Sequence, residues 1–98
     1  MRAETVDAIC RAVADRRSAM LSFLEQLVNL DSPTDDKELS DRVGDLLQAK
    51  CRSLGFACMR DVQSDYGDNR ICRLESDAAA IGPRVLLIGH YDTIFPAG

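Results

Sequence analysis

His90 and Asp92, two residues apart behind the apolar run Val85-Leu86-Leu87-Ile88, are the side chains of this sequence best suited to chemistry. Side chains alternate along extended backbone, so His90 and Asp92 fall on one side of the chain and Tyr91 on the other. A neutral imidazole nitrogen is a good zinc ligand, and its second ring nitrogen commonly donates to a carboxylate that fixes tautomer and orientation. His90 is therefore the candidate metal ligand. Asp92 is the candidate catalytic carboxylate that holds it, directly or through water. In open α/β sheets such groups gather at the carboxyl ends of strands, which is where this pair stands. Taken alone, His-x-Asp also describes a strand-end histidine followed by a turn carboxylate ahead of Pro96.

His90 is the only histidine, and one ligand falls short of the three or four protein ligands of a zinc site. No cysteine stands at ligand spacing from it. Cys10, Cys51, Cys58 and Cys72 form no Cys-x-x-Cys pair, and their places in expected helices and strands suggest buried, reduced thiols. Asp61, Asp65, Asp68, Glu75 and Asp77 lie in strand or turn segments, where carboxylates are expected to face solvent. Tyr66 carries no assignment, and Tyr91 is placed to pack beside the site.

The elements that must position this pair follow from periodicity. Val6, Ile9, Cys10, Val13, Met20, Leu21, Leu24, Leu27 and Val28 trace one helical face, predicting a long first helix, straight or bent, that stops near Asp31 because Pro33 disfavours helical geometry at Ser32. Thr34 or Asp35, the latter with Glu38 three residues on, is expected to cap a second helix along Leu39, Val43, Leu46, Leu47, Cys51 and Leu54. Gly55 is placed to end it. Phe56 to Val62 and the stretch through Ile71, Cys72 and Leu74 read as strands joined by the polar turn Ser64-Asp65-Tyr66-Gly67-Asp68-Asn69, hence a hairpin. After the connector 78–83, Val85–Ile88 is apolar on both pleat faces, as in a central strand covered on both sides. The expected fold class is α/β, with two helices, a hairpin and a buried central strand to which further elements would be added.

A net charge of −4, with no Lys and Arg cluster matched to phosphate spacing, argues against a nucleic-acid partner. Arg16-Arg17 reads as a solvated helix face. No apolar run reaches the length of a membrane helix, and Glu4, Asp7, Arg11 and Asp15 interrupt any signal-peptide core, so a cytoplasmic protein without membrane contact is expected.

The segment Val85-Leu86-Leu87-Ile88-Gly89-His90-Tyr91-Asp92-Thr93-Ile94 resembles the first metal-site motif of the zinc-dependent family that contains aminoacylase, acetylornithine deacetylase, succinyl-diaminopimelate desuccinylase and glutamate carboxypeptidase. The family pattern is an apolar strand followed by Gly-His-x-Asp-Thr-Val, with Ile94 here in place of Val. Phe95-Pro96-Ala97-Gly98 looks most like the glutamate carboxypeptidase branch. Leu24 to Thr34, ending Asp31-Ser32-Pro33-Thr34, is similar to the family's first helix and the turn after it, and Leu54-Gly55-Phe56 is also similar. The resemblance therefore runs along nearly the whole chain.

It implies a two-zinc hydrolase, a metallopeptidase or amidohydrolase, in which His90 ligates one Zn2+ and Asp92 orients that imidazole. The implied substrate is a small peptide with a C-terminal glutamate-type residue, or an N-acyl amino acid. The remaining ligands and the general base would lie beyond Gly98. Residues 1–98 are thus expected to be the N-terminal portion of a catalytic domain, with no second domain, inactive alone, and able to form a homodimer only through a domain not in this sequence. Two alternatives stay open: a fragment of an acetylornithine-type deacetylase or dipeptidase, and a non-catalytic α/β interaction module.

Overall fold

The computed structural model describes residues 2–75 and 82–98. The expected first helix forms as two, α1 (Ala3–Asp15) and α2 (Arg17–Val28), broken at Arg16. Neither proline nor glycine causes the break. Arg16 leaves helical geometry at φ −102°, ψ 7°, its amide donates to Val13 O only three residues back at 3.1 Å, and its guanidinium Nη1 donates to Ala12 O at 3.2 Å. A carbonyl in the last turn of α1 is thereby satisfied by a cation, the favourable sign for a helix C-terminus. The apolar stripe read from the sequence is present, but Val6, Ile9, Val13, Met20, Leu21 and Leu24 stay about half exposed.

Helix α3 (Lys37–Ser53) begins one residue later than expected. Asp36, extended at φ −116°, ψ 94°, is the N-cap and accepts the Leu39 amide at 3.0 Å. Thr34 and Asp35 are excluded from that role because they are the two middle residues of a turn closed by Asp36 N to Pro33 O at 3.0 Å. Glu38 in the first turn and Lys50 and Arg52 in the last complement the helix dipole, and Arg42 pairs with Glu38 at 3.0 Å. Gly55 ends the helix as the sequence predicts. It takes φ +94°, Phe56 N donates to Cys51 O at 3.0 Å and Gly55 N to Arg52 O at 3.0 Å, the paired bonds that close a helix on a left-handed residue.

The hairpin also forms. Strands β1 (Ala57–Asp61) and β2 (Asn69–Arg73) pair antiparallel from Ala57 with Arg73 to Asp61 with Asn69, and both pack on α3. The small core lies on α3, where Val43, Ser40, Gly44 and Gln48 are buried, and Lys50 reaches back over the Phe23 ring of α2 at 5.3 Å.

The expected buried central strand does not form. Among the described residues the only sheet is the two-stranded hairpin, and Val85, Leu86, Leu87 and Ile88 are 80–89% exposed. A strand is defined by its ladder, and with no partner strand beside them these residues have neither backbone bonds nor a layer on either face to bury against. Among the described residues the observed class is a mixed helix and strand arrangement of three helices and one hairpin. Most of the expected connector, and Asp77 with it, lies outside the described residues. Among the described residues no helix is long and apolar enough to cross a membrane.

Candidate functional site

The segment bearing His90 is anchored at two points, on one flank of the motif and at its centre. On one flank, Thr93 forms an isolated parallel bridge with Pro33: Thr93 N donates to Ser32 O at 2.8 Å and Thr34 N to Thr93 O at 2.9 Å. Pro33 suits this place because its missing amide is not required by the bridge. Its carbonyl is fixed in turn by the buried Ser40 hydroxyl of α3, which donates to it at 2.8 Å. At the centre of the motif, the Tyr91 hydroxyl donates to the backbone carbonyl of Asp68 in the hairpin loop.

Beside these anchors His90 and Asp92 meet. His90 Nδ1 lies 2.9 Å from Asp92 O and 3.2 Å from Asp92 Oδ1. Both partners are acceptors, so the contacts are hydrogen bonds only when Nδ1 carries the proton, which leaves Nε2 with its lone pair. The His90 side chain is 84% exposed, so Nε2 faces outward. The other Asp92 oxygen, Oδ2, accepts from the Thr34 hydroxyl at 2.8 Å, and that hydroxyl also contacts Thr93 O at 3.0 Å. The Thr34 hydroxyl foremost, with the Asp92 amide and His90, holds the Asp92 carboxyl below the usual carboxylate range against an opposing effect of burial. Thr34, 58 residues from Asp92 and expected only as a helix cap, is a site residue. Its place in the Ser32-Pro33-Thr34 turn was the available signal.

Tyr91 points away from the pair, as alternation requires, into a slot that two glycines leave open. A Cβ on Gly44 would lie 2.9 Å from Tyr91 Oη and 2.9 Å from both Nε and Nη2 of Arg70. A Cβ on Gly67 would meet Ser40 Cβ at 2.9 Å and Tyr91 Oη at 3.3 Å. Arg70 cannot easily retreat, because its Nη1 is held by Asp45 at 2.8 Å and Gln48 at 2.9 Å and its Nη2 by Asp41 O at 3.2 Å. Gly44→Ala is therefore expected to lose stability although alanine is the better helix former. The propensity gain is about 1 kcal/mol, whereas forcing atoms into a filled site costs about 1–3 kcal/mol. The net loss, roughly 1 kcal/mol, is read from the urea midpoint.

Under Tyr91 lies the main charge cluster. Asp68, expected on the surface, is 3% exposed. It accepts from Lys37 Nζ at 2.6 Å, Arg60 Nε at 2.6 Å and the Gln63 amide at 2.8 Å, while its own amide donates to Asp41 Oδ1 at 2.8 Å. The Lys37 bond first, then the Gln63 amide, hold its carboxyl far below the usual range, outweighing burial. Asp61, Asp65 and Glu75 are exposed as expected.

A groove of about 510 Å3 runs beside His90 between the end of α2 (Leu27), α3 (Val43, Leu47) and the Phe95 segment. Among the described residues no three His, Cys, Asp or Glu side chains are grouped to hold a metal ion. These residues therefore offer one oriented, outward-facing imidazole nitrogen and not a complete zinc site.

No family model matches the chain, and no solved structure matches it. Over 94 residues, 94% of its length, it is 30% identical to carboxypeptidase G2 of Pseudomonas sp. (strain RS-16), and it spans 22% of that protein. The sequence that carries the His90 and Asp92 pair is thus distantly similar to part of a carboxypeptidase, a hydrolase.

Proposed function

We propose that this chain is the N-terminal portion of the catalytic domain of a zinc-dependent hydrolase, one that cleaves the amide bond of an N-acyl amino acid or of a peptide ending in a glutamate-type residue. One observation carries the reading: His90 Nδ1 lies against two acceptor oxygens of Asp92, an arrangement that suits a proton on Nδ1 and a free lone pair on Nε2 of the exposed ring. The similarity to a carboxypeptidase over nearly the whole chain supports it.

In this reading His90 is one ligand of a zinc pair, and Asp92, itself held by Thr34, keeps the proton on Nδ1. Zinc, when bound, supplies Lewis-acid polarisation of the amide carbonyl and an acidified water. Residues outside this sequence supply the other ligands and the general base, so residues 1–98 alone do not turn over substrate. The enzyme is read as cytoplasmic, and a homodimer forms through another domain.

The test is a chimera of carboxypeptidase G2 in which this chain replaces the matched segment. A folded chimera is expected to hold zinc and to release a C-terminal residue. A folded chimera with neither zinc nor turnover contradicts the proposal.

A second reading, a non-catalytic interaction module, draws on the exposed Val85–Ile88 run, because exposed apolar backbone without a ladder invites pairing with another chain. It requires a chimera without zinc together with a 98-residue chain that melts cooperatively as a monomer.

A further inference from the structure

Cys58 and Cys72 face each other directly across the hairpin. Residues opposite one another on antiparallel strands project to the same face, with Cα atoms roughly 4.5–5.5 Å apart, and a disulfide spans Cα separations of roughly 4.4–6.8 Å. Both residues are half-buried, and all four cysteines are free thiols. The face they share is the one turned to α3, since Cys58 Sγ lies 3.8 Å from Gln48 O. Cys10 is exposed on α1 and Cys51 lies on α3, so neither has a cysteine opposite it in a ladder.

We infer that Cys58 and Cys72 form a dithiol modification site, closed to an intrachain cross-strand disulfide by a small-molecule disulfide oxidant such as glutathione disulfide. The inference does not depend on the hydrolase reading. The step balances in two exchanges. One protein thiolate attacks the oxidant, forming a protein–glutathione disulfide and releasing glutathione thiolate. The second protein thiolate then attacks the protein-side sulfur, forming the Cys58–Cys72 bond and releasing a second glutathione thiolate. The protein thiols are oxidised, the oxidant's disulfide is reduced, and the two protons leave with the glutathiones.

Burial foremost, with Cys72 beside it, pushes the Cys58 thiol up, so closure quickens as pH rises and thiolate forms. The closed bond encloses residues 59–71, the loop that carries Asp68 and so the carbonyl that anchors Tyr91. Oxidation therefore clamps the platform under the motif rather than the motif itself.

The experiment treats the folded 98-residue chain with glutathione disulfide, blocks residual thiols, digests with trypsin without reductant and maps the products by mass. The expected product is a link between the peptides Ser53–Arg60 and Ile71–Arg73, with the intact chain lighter by two hydrogens and still monomeric. In guanidinium the same treatment should scatter pairing over all four cysteines. Cys58→Ser and Cys72→Ser each remove the link, and the double variant Cys10→Ser with Cys51→Ser keeps it. The oxidised chain melts roughly 10 °C higher than the reduced one, as closing a loop of this length stabilises a small domain. The wild-type map decides the matter even where a serine variant fails to fold. Glutathione adducts without the link, a link no more abundant than in guanidinium, links only between chains, or an unchanged or lowered melting temperature overturns the inference.

Discussion

Asp68→Asn is expected to lower the melting temperature of this chain by roughly 10 °C near neutral pH. The side chain is almost fully buried and accepts from two cations and an amide, so the substitution removes the charge around which Lys37 and Arg60 are arranged and turns an NH2 group toward one of them. Breaking a buried charge cluster at one member leaves the partners desolvated and unpaired, and this makes it costlier than losing a surface pair. The pH dependence follows from the direction of the shift. The Asp68 carboxyl is held low in the folded chain, so its stabilisation is complete above the ordinary carboxylate pKa of roughly 4 and is lost as pH falls through the folded value. Asp41 and Asp92 are held low as well and act in the same window. Lys37 is raised by Asp68 and Asp41, so its share is present below the ordinary lysine pKa and fades at alkaline pH. Thermal melts from pH 2 to pH 8 check the account: the gap between wild type and Asp68→Asn should be widest at neutral pH and narrow below about pH 4.

The second large effect concerns the metal. In the carboxypeptidase chimera, His90→Ala is expected to reduce turnover by at least 10³-fold, on the order of magnitude lost with one member of a catalytic unit, and to lower zinc content. Asp92→Asn should cost less, roughly 10–100-fold in metal affinity, the usual penalty for altering the group that orients a ligating histidine. An asparagine oxygen still accepts from Nδ1, but the charge that raises imidazole basicity is gone. Zinc content by atomic absorption and initial rates on a C-terminal glutamate substrate measure both. Equal losses for the two variants would show that Asp92 does more than orient His90.

The parts of this molecule legible in the sequence are those fixed locally. The stripe from Leu39 to Cys51 and the stop at Gly55 are short-range signals, and α3 ends as they dictate. The hairpin was legible for the same reason, its polar turn sitting between two short apolar stretches. The break at Arg16 was not, because no residue there is a helix breaker and the deciding contact is the Arg16 side chain reaching back to Ala12 O. Val85–Ile88 shows the opposite failure. Its composition reads as a buried strand, yet a strand depends on partners, and none stands beside it among the described residues.

The site divides along the same line. His90 and Asp92 were legible because they are two residues apart and alternation puts them together. Thr34 and Asp68 were not, since each acts through a partner far along the chain: Thr34 on Asp92, and Lys37 on Asp68 across 31 residues. Asp68 was expected to face solvent and Lys37, Asp41 and Arg60 carried no assignment, and only their convergence between α3 and the hairpin made them a support for the motif. Gly44 and Gly67 likewise have no meaning until Tyr91 is placed between them.

The central claim is that His90 presents a lone pair on Nε2 because Asp92 holds the proton on Nδ1. As His90 is the only histidine, a long-range 1H–15N spectrum of the imidazole at pH 8, before and after addition of Zn2+, tests it without ambiguity of assignment. The account predicts the Nδ1-protonated tautomer, with the unprotonated Nε2 resonance shifting on addition of zinc. A proton on Nε2, or resonances that zinc leaves unmoved at millimolar concentration, would contradict it.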